Sequence, residues 1–264
     1  MVKTFKVLNL VFFLIMIAIN AIANTLPLGY GSTGEMSAKY PNLFTPAPVT
    51  FAIWGVIYIL MAIFAVFQLG LIGNEEIANN FVRQLSFWFV ISCLMNIGWI
   101  FSWHYDVTWL SMLFIVGLLI SLIVITSRIS PNTMKYVSDI TDVPAGVKIS
   151  RYGFDIYLGW ITAATIANAS VLLVKIKWDR FGLSSQFWTI AVIAVAAILG
   201  VLFISTRHKY LSALAIIWAL CGVMIKHISQ AGYAGAYPVI IAATIIGIVI
   251  ILSASVISCL VSDM

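Results

Sequence analysis

Eight apolar runs, nearly free of charge, take up most of this chain. A hydrocarbon core of about 30 Å needs about 20 apolar residues at 1.5 Å of rise each. The runs Phe5–Ala23, Val49–Leu69, Leu85–Trp103, Trp109–Thr126, Phe154–Val174, Phe187–Ser205, Tyr210–Ile225 and Tyr237–Val261 meet or approach that length. The expectation is an all-α fold, a polytopic integral membrane helical bundle of about eight transmembrane helices. Composition agrees: 62% of residues are hydrophobic and 9% charged, against roughly 25% charged in a soluble domain. Disorder, collagen, a disulfide scaffold and a cytosolic enzyme are thereby excluded.

The net charge of +5 does not point to nucleic acid, because the Lys and Arg residues sit singly or in pairs between apolar runs and form no basic stripe. Cys93, Cys221 and Cys259 are isolated, so neither a disulfide framework nor a metal site is expected. Nine Lys and Arg fall on one side of the runs and five on the other, Lys39, Lys175, Lys177, Arg180 and Lys226. Cytoplasmic flanks carry the excess, which predicts both termini in the cytoplasm and a multi-pass protein of the cell membrane. Lys3 and Lys6 before an apolar run ending Ala21-Ile22-Ala23 also fit a signal peptide; the length of the run favours a retained helix. Two connections are long: Asn24–Pro48, expected as a mobile lid without helical period, and the polar Ser127–Arg151.

No HExxH, GxSxG or Walker pattern is present, and no span holds a pair of carboxylates. Catalytic residues are therefore expected to be none. Gly29-Tyr30-Gly31-Ser32-Thr33-Gly34 spells GxGxxG, but a membrane run precedes it and more loop follows, so it reads as part of the lid. Asn168-Ala169-Ser170 matches a glycosylation sequon at mid-membrane, a chance match.

A repeated aromatic face stands out. Phe51, Trp54 and Tyr58 fall at i, i+3 and i+7; Asn96, Trp99 and Trp103 repeat that spacing; Tyr157, Trp160, Ala164 and Asn168 extend it to i+11. An amide in hydrocarbon is costly unless partnered, so Asn96 and Asn168 are expected to face the interior. Three such faces could wall a planar cavity with a few polar fixing points. Plain packing and interfacial Trp, as at Trp103 and Trp109, are the competing reading.

At these residues the chain resembles the TspO/MBR family of tryptophan-rich sensory and translocator proteins. Pro46-Ala47-Pro48-Val49-Thr50-Phe51-Ala52-Ile53-Trp54-Gly55-Val56-Ile57-Tyr58 is similar to its second-helix signature. Met95-Asn96-Ile97-Gly98-Trp99 and Tyr157-Leu158-Gly159-Trp160 with Ala164-Thr165-Ile166-Ala167-Asn168 are similar to its third- and fifth-helix motifs. Ala47 and Ile156 stand where the family usually has Pro. The resemblance implies a five-helix TspO-like core at residues 1–178, with 179–264 as a three-helix membrane extension. It also implies a receptor-like or transporter-like protein that binds a tetrapyrrole, porphyrin or haem, or a similar apolar ligand. Phe51, Trp54, Tyr58, Asn96, Trp99, Trp103, Tyr157, Trp160, Ala164 and Asn168 would be the ligand-binding residues, and Lys39 the cation nearest for a propionate.

No cofactor is required on this reading, and the partners are the lipid bilayer, the tetrapyrrole and, as a homodimer, a second copy. Two alternatives belong to other classes. One is light- or oxygen-dependent degradation of the porphyrin. The other is an ion-coupled secondary transporter using Lys226 and His227, although these close an apolar run as a snorkelling helix end would. A retinal-type photoreceptor fits less well, for no span carries a mid-helix Lys with a counter-ion.

Overall fold

A computed structural model describes residues 1–26, 29, 31–130 and 143–262, with the backbone alone at residue 262. Residues 131–142 of the polar loop expected at 127–151 lie outside the described residues. Its two ends are helix, because the flanking helices run on past their apolar stretches.

All regular structure among the described residues is helical. The elements are α1 (Val2–Thr25), α2 (Thr33–Ala38), a 3₁₀ turn (Pro48–Ala52), α3 (Ile53–Gln68), α4 (Glu75–Leu85), α5 (Trp88–His104) and α6 (Thr108–Arg128). After them come α7 (Ala145–Lys175), a short 3₁₀ turn (Arg180–Gly182), α8 (Ser185–Arg207), α9 (Tyr210–Ile228) and α10 (Pro238–Ser262). Pro144 opens α7, its carbonyl taking the Val147 and Lys148 amides at 3.0 and 3.1 Å; proline suits a helix start, where its missing N–H costs nothing.

Among the described residues seven helices are long and apolar enough to cross a membrane: α1, α3 with its 3₁₀ lead-in, α6, α7, α8, α9 and α10. Helices α4 and α5 supply an eighth if taken as one broken span, bent by 59°. The third expected span thus begins at Trp88 rather than Leu85, after a break at which Ser86 takes a positive φ of 51°.

Contacts divide the chain into two compact units. The first holds residues 1–32 and 53–158, the second 33–52 and 159–264, so the change falls inside α7.

In the first unit α1 packs one face, Lys6, Asn9, Phe13, Met16, Asn20 and Ala23, at alternating steps of three and four. That spacing makes one stripe on a helix. Its polar members are partnered: Asn9 Nδ2 donates to Gln68 Oε1 at 3.0 Å, and Lys6 Nζ lies 3.9 Å from Glu75. Behind them sits an aromatic core in which Phe64 meets Phe89 at 4.9 Å, Phe154 at 5.2 Å and Phe81 at 5.9 Å.

In the second unit α8, α9 and α10 pack on one another around Ile193, Ala197, Ile216, Leu220 and Ile251, and Leu43 and Phe44 join the same core. The last part of the lid expected at Asn24–Pro48 is here a strap, while residues 27, 28 and 30 of that stretch lie outside the described residues. Residues 42–50 run antiparallel to α9 and are bonded to it and to the loop beyond. The Ala47 amide donates to the Gly222 carbonyl (2.9 Å). Trp218 Nε1 donates to the Thr50 carbonyl (2.8 Å), His227 Nε2 to that of Leu43 (2.8 Å) and the Tyr233 hydroxyl to that of Asn42 (3.1 Å). Burial, and then the neighbouring Tyr237, push the Tyr233 phenol above its ordinary pKa, so it remains a neutral donor. Ahead of the strap Thr33–Ala38 forms a helix within the stretch expected to lack helical period.

Gly222 is required by the close approach of the strap, since a Cβ there would overlap the Thr50 hydroxyl. Gly222→Val is expected to destabilise the protein by about 1–3 kcal/mol through overpacking. A lowered thermal midpoint in detergent is the measurement; an unchanged midpoint would mean the strap does not lie on α9.

Candidate functional site

Helix α3 carries Trp54 and Tyr58, one turn apart, and both are half-buried. Helix α5 carries Asn96, Trp99 and Trp103, and α7 carries Tyr157, all buried. The first unit brings these six together. Trp54 is the centre: its ring stacks on Tyr58 at 5.4 Å and on Trp99 at 5.7 Å, and meets Tyr157 edge-on at 5.8 Å. Trp99 stacks in turn on Trp103 at 6.1 Å. The result is a column of four rings, Tyr58, Trp54, Trp99 and Trp103, with its half-buried end at α3. Each such pair is worth about 0.5–1.5 kcal/mol beyond its area.

Beside the column runs a chain of hydrogen bonds. Asn20 Nδ2 donates to Asn96 Oδ1 at 2.7 Å, and Asn96 Nδ2 donates to the Tyr157 hydroxyl at 2.9 Å. This joins α1, α5 and α7 through side chains with no access to water. The Trp99 indole N–H is buried and has no hydrogen-bond acceptor among the described residues. Leaving such a donor unpaired is costly, so the column holds one polar position with unused capacity.

The other four residues of the expected site lie in the second unit. Phe51, in the 3₁₀ turn, packs edge-on against Trp160 of α7 at 5.9 Å. Ala164 is half-buried and Asn168 buried, 2% exposed, further along α7. Lys39 is exposed above the Tyr40 ring at 5.7 Å, the distance at which Lys175 also approaches that ring. Of the GxGxxG run, in which Tyr30 lies outside the described residues, Gly29, at φ 63°, is packed where a Cβ would overlap the His104 carbonyl.

Two features were missed from sequence. Asn20 is one, although an amide inside an apolar run was signal enough to look for a partner. His227 is the other. Rather than snorkelling, it is fully buried, bonded to Leu43 and set 4.7 Å from the Tyr233 ring; Lys226 beside it is half-buried. No group of three or more His, Cys, Asp or Glu able to hold a metal occurs among the described residues.

The relay between Asn20 and Asn96 can be measured by a double-mutant cycle with Asn20→Ala and Asn96→Ala. Intramembrane hydrogen bonds average about 0.6 kcal/mol and reach about 1.7, so a coupling in that range is expected in unfolding measurements. Strictly additive effects would mean the two amides do not meet.

Comparison with known proteins agrees with the aromatic motifs and goes further along the chain. The pattern of the family described as TSPO-like protein matches residues 6–257, through the last three helices and well past the motifs, which end at Asn168. No curated protein and no solved structure matches. With nearly its whole length covered by that pattern and at least seven helices fit to span a bilayer, the chain is a multi-pass membrane protein that belongs to the TSPO-like family.

Proposed function

We propose that this TSPO-like protein binds a flat apolar ligand of the tetrapyrrole class at the aromatic column of its first unit, as a receptor or carrier and not as an enzyme. The observation that carries this reading is the column itself. Rings from α3 and α5 are stacked beside a hydrogen-bonded amide, with one buried indole N–H still to be satisfied. Indole and phenol faces suit a porphyrin disc. Stacking on an aromatic residue is worth about 1–3 kcal/mol, enough to exceed one displaced ring–ring contact of about 0.5–1.5 kcal/mol. The ligand would enter at the half-buried end, Trp54 and Tyr58, with the Trp99 N–H donating to a ring nitrogen or a carboxylate. The family supports the coarser statement, a sensory, transport or ligand-binding role in the membrane.

Titration of the purified protein with protoporphyrin and haem, read by quenching of Trp fluorescence, tests the proposal. Trp54→Ala is expected to weaken binding about 5- to 150-fold. Trp109→Ala, on an exposed ring of α6, should leave it unchanged. If Trp54→Ala and Trp99→Ala both titrate like the parent, the column is not the site. Protoporphyrin illuminated with the protein is expected to be recovered intact by mass spectrometry; protein-dependent breakdown products would establish the enzymatic reading instead.

A further inference from the structure

A pocket of about 800 Å³ lies wholly within the second unit, between the α7–α8 turn and the loop that follows α9. Its volume is within the 300–1,000 Å³ usual for small-molecule sites. Its level is set by chain geometry. Helix α7 ends at Lys175 and α8 begins at Ser185, so the turn between them is where two spans leave the hydrocarbon. A molecule held here has one end at the water boundary and the other beside the acyl region.

The lining is divided in the same sense. Leu173, Val192 and Phe44 supply an apolar wall, with the Trp178 and Trp188 rings set edge-to-face at 4.8 Å. Lys177, Asp179 and Arg180 line it from the exposed turn. That turn is held in place although it is costly to form. Lys177 and Arg180 have φ of 54° and 60°, a left-handed conformation that costs a non-glycine residue roughly 1–2 kcal/mol. It is held by the Trp178 amide on the Leu173 carbonyl (3.1 Å) and by Trp188 Nε1 on the Arg180 carbonyl (2.9 Å). The Asp179 carboxylate accepts the Phe181 amide at 3.0 Å. Among the described residues neither Lys177 nor Arg180 has an ion-pair partner. Two cations carried on this held turn and one carboxylate leave the mouth with a formal charge of +1, the complement of a single negative charge.

We infer that this pocket binds an anionic amphiphile, a long-chain carboxylate, with its head between Lys177 and Arg180. The chain lies along Leu173 and Val192 against the two indoles. Burial of the methylenes supplies most of the affinity, and the two cations supply the preference for an acid over a neutral chain of equal length. The strap forms the pocket's other side through Pro41–Phe44, so the bound chain also touches the segment that α9 holds. The inference is independent of the tetrapyrrole reading, which concerns the other unit.

The test uses the full chain in phosphatidylcholine nanodiscs and 9,10-dibromostearate, whose bromines quench indole fluorescence on contact. Saturable quenching is expected, at least tenfold tighter than that by the corresponding dibrominated alcohol. The pair Lys177→Gln with Arg180→Gln, which keeps polar stems, should weaken the acid about tenfold and leave the alcohol unchanged. Trp178→Phe, which removes one of the two indoles against the bound chain, should lower the quenching amplitude. Thermal midpoints of all variants confirm that they are folded. Equal binding of acid and alcohol, an unchanged affinity in the double variant, or full amplitude in Trp178→Phe would each overturn the assignment. Displacement of the brominated acid by protoporphyrin at matching affinity would overturn it too, by making the pocket a tetrapyrrole site.

Discussion

Hydrocarbon offers no water to satisfy a polar group, so every amide that enters it must find its partner in the protein. This one constraint organises both units. In the first, the side-chain amides of Asn9, Asn20, Asn96 and Gln68 meet each other or a phenol, and these meetings fix which faces of α1, α3, α5 and α7 turn inward. In the second the problem is the backbone of a non-helical segment. Residues 42–50 bond internally around the Asn42 side chain and from Thr50 to Ala47, and α9 with its following loop supplies donors to the carbonyls of Thr50, Leu43 and Asn42 from Trp218, His227 and Tyr233. These side chains are long enough to reach a neighbouring main chain, and two of them combine a ring with a single N–H.

The aromatic column depends on the same economy. One intramembrane hydrogen bond contributes little, about 0.6 kcal/mol, and a ring pair about 0.5–1.5 kcal/mol. Several of each at Trp54, Asn96, Trp99 and Tyr157 reinforce one another, because Asn96 and Trp99 stand one turn apart on α5 and are set by a single rotation of that helix. A change of rotation that broke the amide relay would also unstack Trp99 from Trp54.

Much of this could be read from the chain. The lengths of the apolar runs placed the helices, and the spacing of Trp54, Tyr58, Asn96, Trp99 and Tyr157 put them on faces that do meet. Other parts were illegible for a physical reason. The partners of the strap are 168 to 191 residues away in sequence, and nothing local to Pro41–Thr50, rich in turn formers, distinguishes a mobile loop from a bonded strap. His227 next to Lys226 likewise looked like a solvated helix end, since the carbonyl that receives it belongs to Leu43. The break at Ser86 was missed because Leu85 and Phe87 continue the apolar composition across it, and composition does not report a backbone turn.

That break has a bearing on the bilayer itself. Helix α5 has 17 residues, which at 1.5 Å each reach about 26 Å, less than a hydrocarbon core of about 30 Å. The 59° bend turns α4 away from the direction of α5, so α4 cannot make up the difference in a straight line. Its composition matches a boundary position: Ala78, Phe81, Val82 and Leu85 are buried, while Glu75 and Glu76 are exposed. A span this short beside longer ones is accommodated by local thinning of the bilayer or by snorkelling flanks, at fractions of a kcal/mol per ångström of mismatch. Two residues of irregular backbone thus confine that adjustment to the side of the protein where α5 lies.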